Sequence, residues 1–152
     1  GGTRRRSEVV GEGGGILFVD DYGHHPTEIR ATLQAFREFY PGRRIVVDFM
    51  SHTYSRTQKL LAELAGSFAA ADVVVLHRIY ASARETDVSV TGEDLAREVA
   101  NHHPLVSYTA EPLDAAPRLA RTLHAGDLFI TMGAGDNWRL GREVLAGLGG
   151  NP

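Results

Sequence analysis

Five short runs rich in β-branched residues, separated by stretches with helical periodicity, constrain the fold of this chain most. The runs cover residues 16–19, 45–47, 73–76, 105–108 and 128–131. Because both faces of these runs are apolar, they are typical of strands buried in a parallel sheet. Between the first two runs, Ile29, Leu33 and Phe36 recur at helical spacing, with Pro26 suited to the first turn and Pro41-Gly42 to the end. This region predicts a strand–helix–strand unit.

The same alternation continues along the rest of the chain. Helical patterns cover residues 60–68, the region of Leu95 and Val99, and residues 113–123 and 137–148. Thr91 and Asp94 have the spacing of a capping box for the helix that contains Leu95. Pro117 lies inside the next pattern, where proline removes a helical hydrogen bond unless it occupies the first turn.

The predicted fold is a single α/β domain over residues 1–152, with an open, mostly parallel, Rossmann-like sheet and helices on both faces. Residues 7–12 predict an edge strand before the turn Gly13-Gly14-Gly15. A length of 152 residues with 43% hydrophobic content fits one core. The chain opens on Gly1-Gly2-Thr3 without a methionine, so we expect it to be part of a longer protein.

Composition narrows the classes of partner. A net charge of -3 and a pI near 6.2 disfavour binding to nucleic acid or to anionic membranes. The chain has no cysteine, so it contains neither a disulfide nor a thiolate metal site. No apolar run approaches the roughly 20 residues of a membrane-spanning helix. The expected location is the cytoplasm.

Polar segments follow three of the predicted strands. They are Asp20-Asp21-Tyr22-Gly23-His24-His25-Pro26, His52-Thr53-Tyr54-Ser55-Arg56-Thr57 and Met132-Gly133-Ala134-Gly135-Asp136. Ligands of open parallel sheets bind beyond the carboxyl ends of the strands, where loops and helix N-termini converge. We therefore expect one binding site at this edge.

The first segment has two interpretations. Asp20 and Asp21 are suited to accept hydrogen bonds from ribose hydroxyls or to hold a hydrated cation. As an isolated pair, however, one such aspartate more often caps the following helix while the other is solvated. His24 and His25 are adjacent and point in different directions, so no metal site is predicted there.

The other two segments are suited to anions. His52, Tyr54 and Arg56 alternate, so they share one face if the second strand extends that far, and Arg56 then holds a carboxylate or phosphate through its guanidinium fork. Alternatively, Arg56 is a surface residue at the start of a helix. The Gly133–Gly135 segment resembles a phosphate-binding turn, although Trp138 stands where a dinucleotide fingerprint requires glycine.

The remaining histidines and the known catalytic motifs indicate no further functional site in the sequence. His77 and His102-His103 have no evident partners, so solvation or packing at a helix end is expected for each. The chain lacks a Gly-x-x-x-x-Gly-Lys-Ser/Thr loop, a Gly-x-Ser-x-Gly elbow and a cysteine nucleophile. The residues alone thus predict a nucleotide- or anion-binding domain with no catalytic residue of its own.

Taken together, these segments resemble the C-terminal domain of the Mur ligase family, and the resemblance covers nearly the whole chain. It is carried by Arg4-Arg5-Arg6, Val9-Val10-Gly11-Glu12, residues 20–28 and 52–57, Ile79-Tyr80, Gly92-Glu93-Asp94-Leu95 and residues 131–136. Residues 20–28 and 52–57 form the two long, specific motifs.

The resemblance implies a three-domain enzyme of which this chain is one part. An N-terminal domain would bind the UDP-sugar and a central domain would hold ATP and Mg²⁺, so this domain alone is expected to be inactive. The implied reaction joins L-alanine to UDP-N-acetylmuramate with hydrolysis of ATP to ADP and phosphate, through an acyl phosphate that the amino group attacks, with Mg²⁺ stabilising the phosphates.

The resemblance also implies roles for the residues at the sheet edge. The nucleotide side consists of Asp20, Asp21 and His24. The alanine and acyl-substrate side consists of Tyr22, His25, His52 and Arg56, with Arg56 facing the amino-acid carboxylate. Backbone approaches the same pocket at Gly133, Ala134 and Gly135.

The sequence departs from the family pattern at three places. Met50-Ser51 stands where the family commonly has Gln-Pro, Asn137 replaces a residue that is often apolar, and residues 79–85 contain an extra residue.

There are two alternative interpretations of the function. One alternative is the related ligase that attaches recycled murein peptide, although the His-Thr-Tyr-Ser-Arg segment favours the ligase that attaches alanine. The other is a stand-alone nucleotide- or anion-binding module.

Overall fold

A six-stranded sheet, in the order β1-β2-β6-β3-β4-β5, forms the centre of the molecule. The computed structural model describes residues 7–86 and 88–150. The strands are β1 (Glu8–Gly13), β2 (Ile16–Asp21), β3 (Ile45–Met50), β4 (Val73–Leu76), β5 (Val106–Tyr108) and β6 (Leu128–Gly133). Strands β2 to β6 are parallel, and β1 pairs antiparallel with β2 at the edge. The predicted open, mostly parallel sheet and its edge strand are confirmed. The Arg4-Arg5-Arg6 segment lies outside the described residues.

Helices cover both faces of this sheet, as predicted. They are α1 (Pro26–Phe39), α2 (Tyr54–Lys59), α3 (Leu61–Ala65), α4 (Gly92–Ala100), α5 (Ala116–Thr122) and α6 (Trp138–Gly147). One apolar cluster lies beneath α1, α3 and α4, and a second lies beneath α5 and α6. Because side chains alternate along a strand, Val47 enters the first cluster and Val46 the second. None of the helices in the described ranges is long and apolar enough to span a bilayer.

Capping residues determine where two helices begin. At α1, Pro26 occupies the first turn and His25 is the N-cap. At α4, the amide of Asp94 donates to Thr91 Oγ1 (3.1 Å) and the amide of Thr91 donates to Asp94 Oδ2 (2.9 Å). The predicted capping box is confirmed.

Two helical regions have other bounds in the structure than those predicted from the sequence. The helix predicted over residues 60–68 is replaced by α2 and α3, so helical structure begins earlier, at Tyr54, and breaks at Leu60. The helix predicted over residues 113–123 is a 3-10 turn, Pro112–Ala115, followed by α5 from Ala116. Pro117 therefore falls in the first turn of α5, where its missing amide proton removes no helical hydrogen bond.

Candidate functional site

The strand order brings the three polar segments together at one edge of the sheet. Strand β6 lies between β2 and β3, so Asp20 is in register with Thr131, and Thr131 with Asp48. Two residue pairs further along β3 and β6, Met50 is in register with Gly133. The carboxyl ends of the three strands are thus neighbours, as the sequence predicted.

Both aspartates at the end of β2 are buried, with exposed fractions of 4% for Asp20 and 3% for Asp21. Thr131 Oγ1 donates to Asp20 Oδ1 at 2.7 Å. Asp21 accepts from the amide and hydroxyl of Ser7 (2.8 and 2.6 Å) and from the amide of Gly23 (2.7 Å). The expectation that one aspartate caps the next helix while the other is solvated was wrong, because both turn inward to hold β1, β6 and the following turn.

The adjacent histidines have different surroundings. His25 is exposed and accepts at Nδ1 from the amide of Thr27 (3.1 Å), which makes it the cap of α1. Glu28 completes the cap by accepting from the amides of His24 (3.2 Å) and His25 (3.0 Å). Burial raises the pKa of Glu28, but these two amides and the nearby histidine charges outweigh it and lower the pKa overall. The His24 ring instead lies edge-on to Tyr22, with centroids 5.6 Å apart, and the two form an aromatic wall.

The segment after β3 does not continue as a strand, so the predicted alternation of His52, Tyr54 and Arg56 on one strand face was wrong. Thr53 has a positive φ of 63° and caps α2, which begins at the next residue. Arg56 is exposed on α2, in accord with the alternative that placed it at the start of a helix.

His52, the first residue of the second specific motif, lies against Tyr80. It forms a bridge with Tyr80, and the two rings are 5.9 Å apart. Within the described residues its buried Nδ1 has no hydrogen-bond partner. Burial, followed by the charges of Arg56 and His24, lowers the pKa of His52 against an opposing effect of Glu85. A neutral imidazole therefore lies beside Arg56, which supplies the positive charge.

Glu85 is a structural member of this site that the sequence did not indicate. Its carboxylate accepts from the amides of Tyr54 and Ser55, each at 3.0 Å, and from Ser55 Oγ at 3.2 Å. The hydrogen bond from the Ser55 amide, ahead of those from Tyr54 and Ser82, lowers the pKa of Glu85. These hydrogen bonds join the segment of residues 79–85, which contains the extra residue, to the start of α2.

Close backbone packing shapes the Gly133–Gly135 turn. Gly133 has φ +114°, and a Cβ at this position would lie 2.3 Å from the carbonyl oxygen of Met50. A Cβ at Gly135 would lie 2.6 Å from Met50 Sδ. Met50 thus fills the space beneath the turn, while the Ser51 hydroxyl lies 2.6 Å from that of Thr57. These contacts show how Met50-Ser51 is accommodated.

A fully buried polar cluster beneath these loops was missed. His77 Nε2 lies 2.6 Å from Asp48 Oδ2, and Asn137 Nδ2 donates to Asp48 Oδ1 at 2.8 Å. Burial lowers the pKa of His77, but the charge and hydrogen bond of Asp48, helped by the Thr109 carbonyl, raise it overall. The expectation that His77 has no partner was wrong; the partner is distant in sequence. His103, three residues after α4, also has a partner that the sequence did not indicate, because its Nε2 lies 2.8 Å from the carbonyl oxygen of Ala71.

Across residues 7–86 and 88–150, no group of three or more histidine or acidic side chains has a metal-binding arrangement. The edge therefore offers hydrogen-bonding groups, an aromatic wall and the charge of Arg56, without a set of protein ligands for a divalent cation.

Residues 5–135 match the sequence model of a family described as "Mur ligase, glutamate ligase domain". The chain belongs to the Mur ligase family. This confirms the resemblance drawn from the loop motifs.

Individual Mur ligases match the chain along nearly its whole length. UDP-N-acetylmuramate--L-alanine ligase of Treponema pallidum (strain Nichols) is 59% identical over 145 residues, which is 95% of this chain and 30% of that protein. The protein of the same name from Desulfitobacterium hafniense is 46% identical over 95% of this chain and 32% of its own length. The chain thus spans about a third of the length of these two relatives.

Solved Mur ligases share the fold. UDP-N-acetylmuramate-alanine ligase of Thermotoga maritima superposes with a TM-score of 0.76 at 23% identity, over 93% of this chain and 29% of that one. A murein peptide ligase from Psychrobacter arcticus gives 0.74 at 24% identity, over 96% and 30%. At these identities the likeness establishes the fold and leaves the substrate open.

Proposed function

We propose that this chain is the C-terminal domain of a ligase that joins L-alanine to UDP-N-acetylmuramate at the expense of ATP, by way of an acyl phosphate. The similarity to alanine ligases along nearly the whole chain carries this proposal. The domain contributes the strand-end loops that close on nucleotide and alanine, and the residues that cradle the phosphates belong to a central domain of the parent protein.

The nucleotide side of the proposed site comprises Asp20, Asp21 and His24. Both oxygens of Asp21 already accept hydrogen bonds, so its contribution is to hold the backbone of Ser7 and Gly23 in place. The His24 ring, set edge-on against Tyr22, gives an aromatic surface for a base.

The alanine side comprises Tyr22, His25, His52 and Arg56, with the backbone of Gly133, Ala134 and Gly135 opposite. Arg56 is exposed and is suited to the amino-acid carboxylate through its guanidinium fork. The lowered pKa of His52, caused first by burial and then by Arg56 and His24, keeps this ring neutral. Arg56 then supplies positive charge at this side, which favours a carboxylate.

Magnesium is expected with the ATP phosphates in the central domain. The described residues contain no cluster that fits a divalent cation, so no step of the reaction is assigned to a metal held by this domain.

A comparison of acceptors tests the proposal. The full-length parent, supplied with ATP and UDP-N-acetylmuramate, should release phosphate with L-alanine and remain at background with a murein tripeptide. Activity with the tripeptide alone would instead support the recycling ligase. Tight ATP binding by the isolated 152-residue chain in calorimetry would support a stand-alone module, since a closing domain binds weakly without its neighbours.

A further inference from the structure

A buried network of three polar side chains lies directly beneath the candidate site, on the α6 side of the sheet. Its members are Asp48 on β3, His77 after β4 and Asn137 before α6, hereafter the Asp48–His77–Asn137 network. Asp48 and Asn137 are 0% exposed and His77 is 1% exposed. Burial of a carboxylate and an imidazole is unfavourable unless both are paired, so the three side chains depend on one another.

The hydrogen bonds fix the orientation of each ring and amide. The Thr109 carbonyl can only accept, so the imidazole Nδ1 of His77, 2.7 Å away, carries a proton. Nε2 lies 2.6 Å from Asp48 Oδ2, and two acceptors would repel each other at this distance, so we infer that the pair shares one further proton. The Asn137 amide nitrogen faces three acceptors, at Asp48 O (3.0 Å), Asp48 Oδ1 (2.8 Å) and Met132 O (3.1 Å).

Asn137 donates its side-chain hydrogen bonds within this network and does not cap its own helix. It occupies the N-cap position of α6, a position that asparagine favours, yet its side chain makes no capping hydrogen bond. The bond to Met132 O instead joins the two ends of the turn formed by residues 133–136. The bonds to Asp48 then fasten that closed turn to β3.

The other two members lead directly into the remaining loops of the site. Asp48 precedes His52 along the same chain segment, and His77 precedes Tyr80. The two segments meet where the amide of Tyr80 donates to the Ser51 carbonyl (2.8 Å) and the amide of Thr53 donates to the Tyr80 carbonyl (2.9 Å). Asp48 and His77 therefore lie at the starts of two substrate-side loops, and Asn137 lies at the end of the third.

We propose that the Asp48–His77–Asn137 network is a positioning device, which holds the 133–136 turn and the His52 and Tyr80 segments in the relative arrangement needed for catalysis. The inference rests on the proposed ligase function. None of the three side chains reaches the surface, so they act through the loops they hold and not by contact with substrate. Misplacement of a substrate-positioning group by about 1 Å lowers a rate by up to about a hundredfold.

The test uses the full-length parent with His77→Asn and Asn137→Ala, and His103→Asn as the matched control. His103 is also buried and hydrogen-bonded, to the Ala71 carbonyl and the Leu105 amide, but it lies outside the candidate site. Melting temperature, kcat, and KM for ATP and alanine are measured for all four proteins, with kinetics taken well below each melting temperature.

We expect both network variants to lose about tenfold or more in kcat while still folded, and His103→Asn to keep the wild-type kcat within about twofold although its melting temperature also falls. Full kcat in the folded network variants would overturn the proposal. If the single variants do not fold, the apolar triple variant Asp48→Val/His77→Leu/Asn137→Ile removes every buried polar group at once, and such replacements are often tolerated. A reduced kcat in the folded triple variant supports positioning, and an unchanged kcat overturns it. Absence of alanine-dependent activity in the wild type would instead refute the proposed function, and this inference with it.

Discussion

Replacement of Gly133 by alanine tests the close packing of the turn against β3. Gly133 has φ +114°, and the added Cβ would meet the Met50 carbonyl oxygen at 2.3 Å. Gly126 offers a matched control, because its φ of +95° is similarly unfavourable for alanine but nothing lies within 4 Å of an added Cβ. The pair separates backbone strain from steric conflict.

The two contributions have different sizes. A left-handed conformation costs a non-glycine residue about 1–2 kcal/mol, and this applies to both positions. Overpacking against a buried backbone adds about 1–3 kcal/mol, and this applies only to Gly133. Gly133→Ala should therefore lower the free energy of unfolding by about 2–5 kcal/mol, and Gly126→Ala by about 1–2 kcal/mol.

Urea unfolding of the 152-residue chain measures this difference. The single tryptophan, Trp138, is the first residue of α6, close to the turn, so its fluorescence reports on the region as well as on global unfolding. Far-UV circular dichroism should give the same midpoints if unfolding is two-state. Equal destabilisation by the two substitutions would refute the close approach of Gly133 to Met50.

Three further predictions concern separate features. Thr91→Ala removes the cap of α4 and should lower the free energy of unfolding in urea by about 1 kcal/mol; no change would contradict the capping box. The pKa of His77 is raised, mainly by Asp48 against burial, above the value of about 6.5 for an unfolded histidine. Its stabilising contribution is therefore complete below about pH 6.5 and is lost as the pH rises through the folded pKa, so calorimetry should show a falling melting temperature that Asp48→Val/His77→Leu lacks. In the full-length parent, Arg56→Ala should raise the alanine KM more than the ATP KM, and equal effects would remove Arg56 from the alanine pocket.

The sheet could be predicted because its signals are local. Runs such as Val73–Leu76 are apolar on both faces, which only a sheet covered on both sides accommodates. The starts of α1 and α4 followed from Pro26 and from the Thr91–Asp94 pair, whose hydrogen bonds span three residues. The three loops at the sheet edge followed from the parallel direction of the strands.

The features that were missed depend on contacts between distant residues. Asp48 is separated by 29 residues from His77 and by 89 from Asn137, so no spacing in the sequence predicts their network. Glu85 reaches Tyr54 across 31 residues. The start of α2 was missed for a local reason, since Thr53 adopts a positive φ that threonine rarely tolerates.

Phosphate release from ATP by the full-length parent is the direct test of the proposed alanine ligase function. With UDP-N-acetylmuramate present, we predict that release depends on L-alanine and that the product contains alanine joined to the sugar nucleotide. We also predict that the Arg56→Ala variant reaches a near-normal rate of phosphate release only at raised alanine concentration. Release that is independent of alanine, or no release at any alanine concentration, would contradict the account.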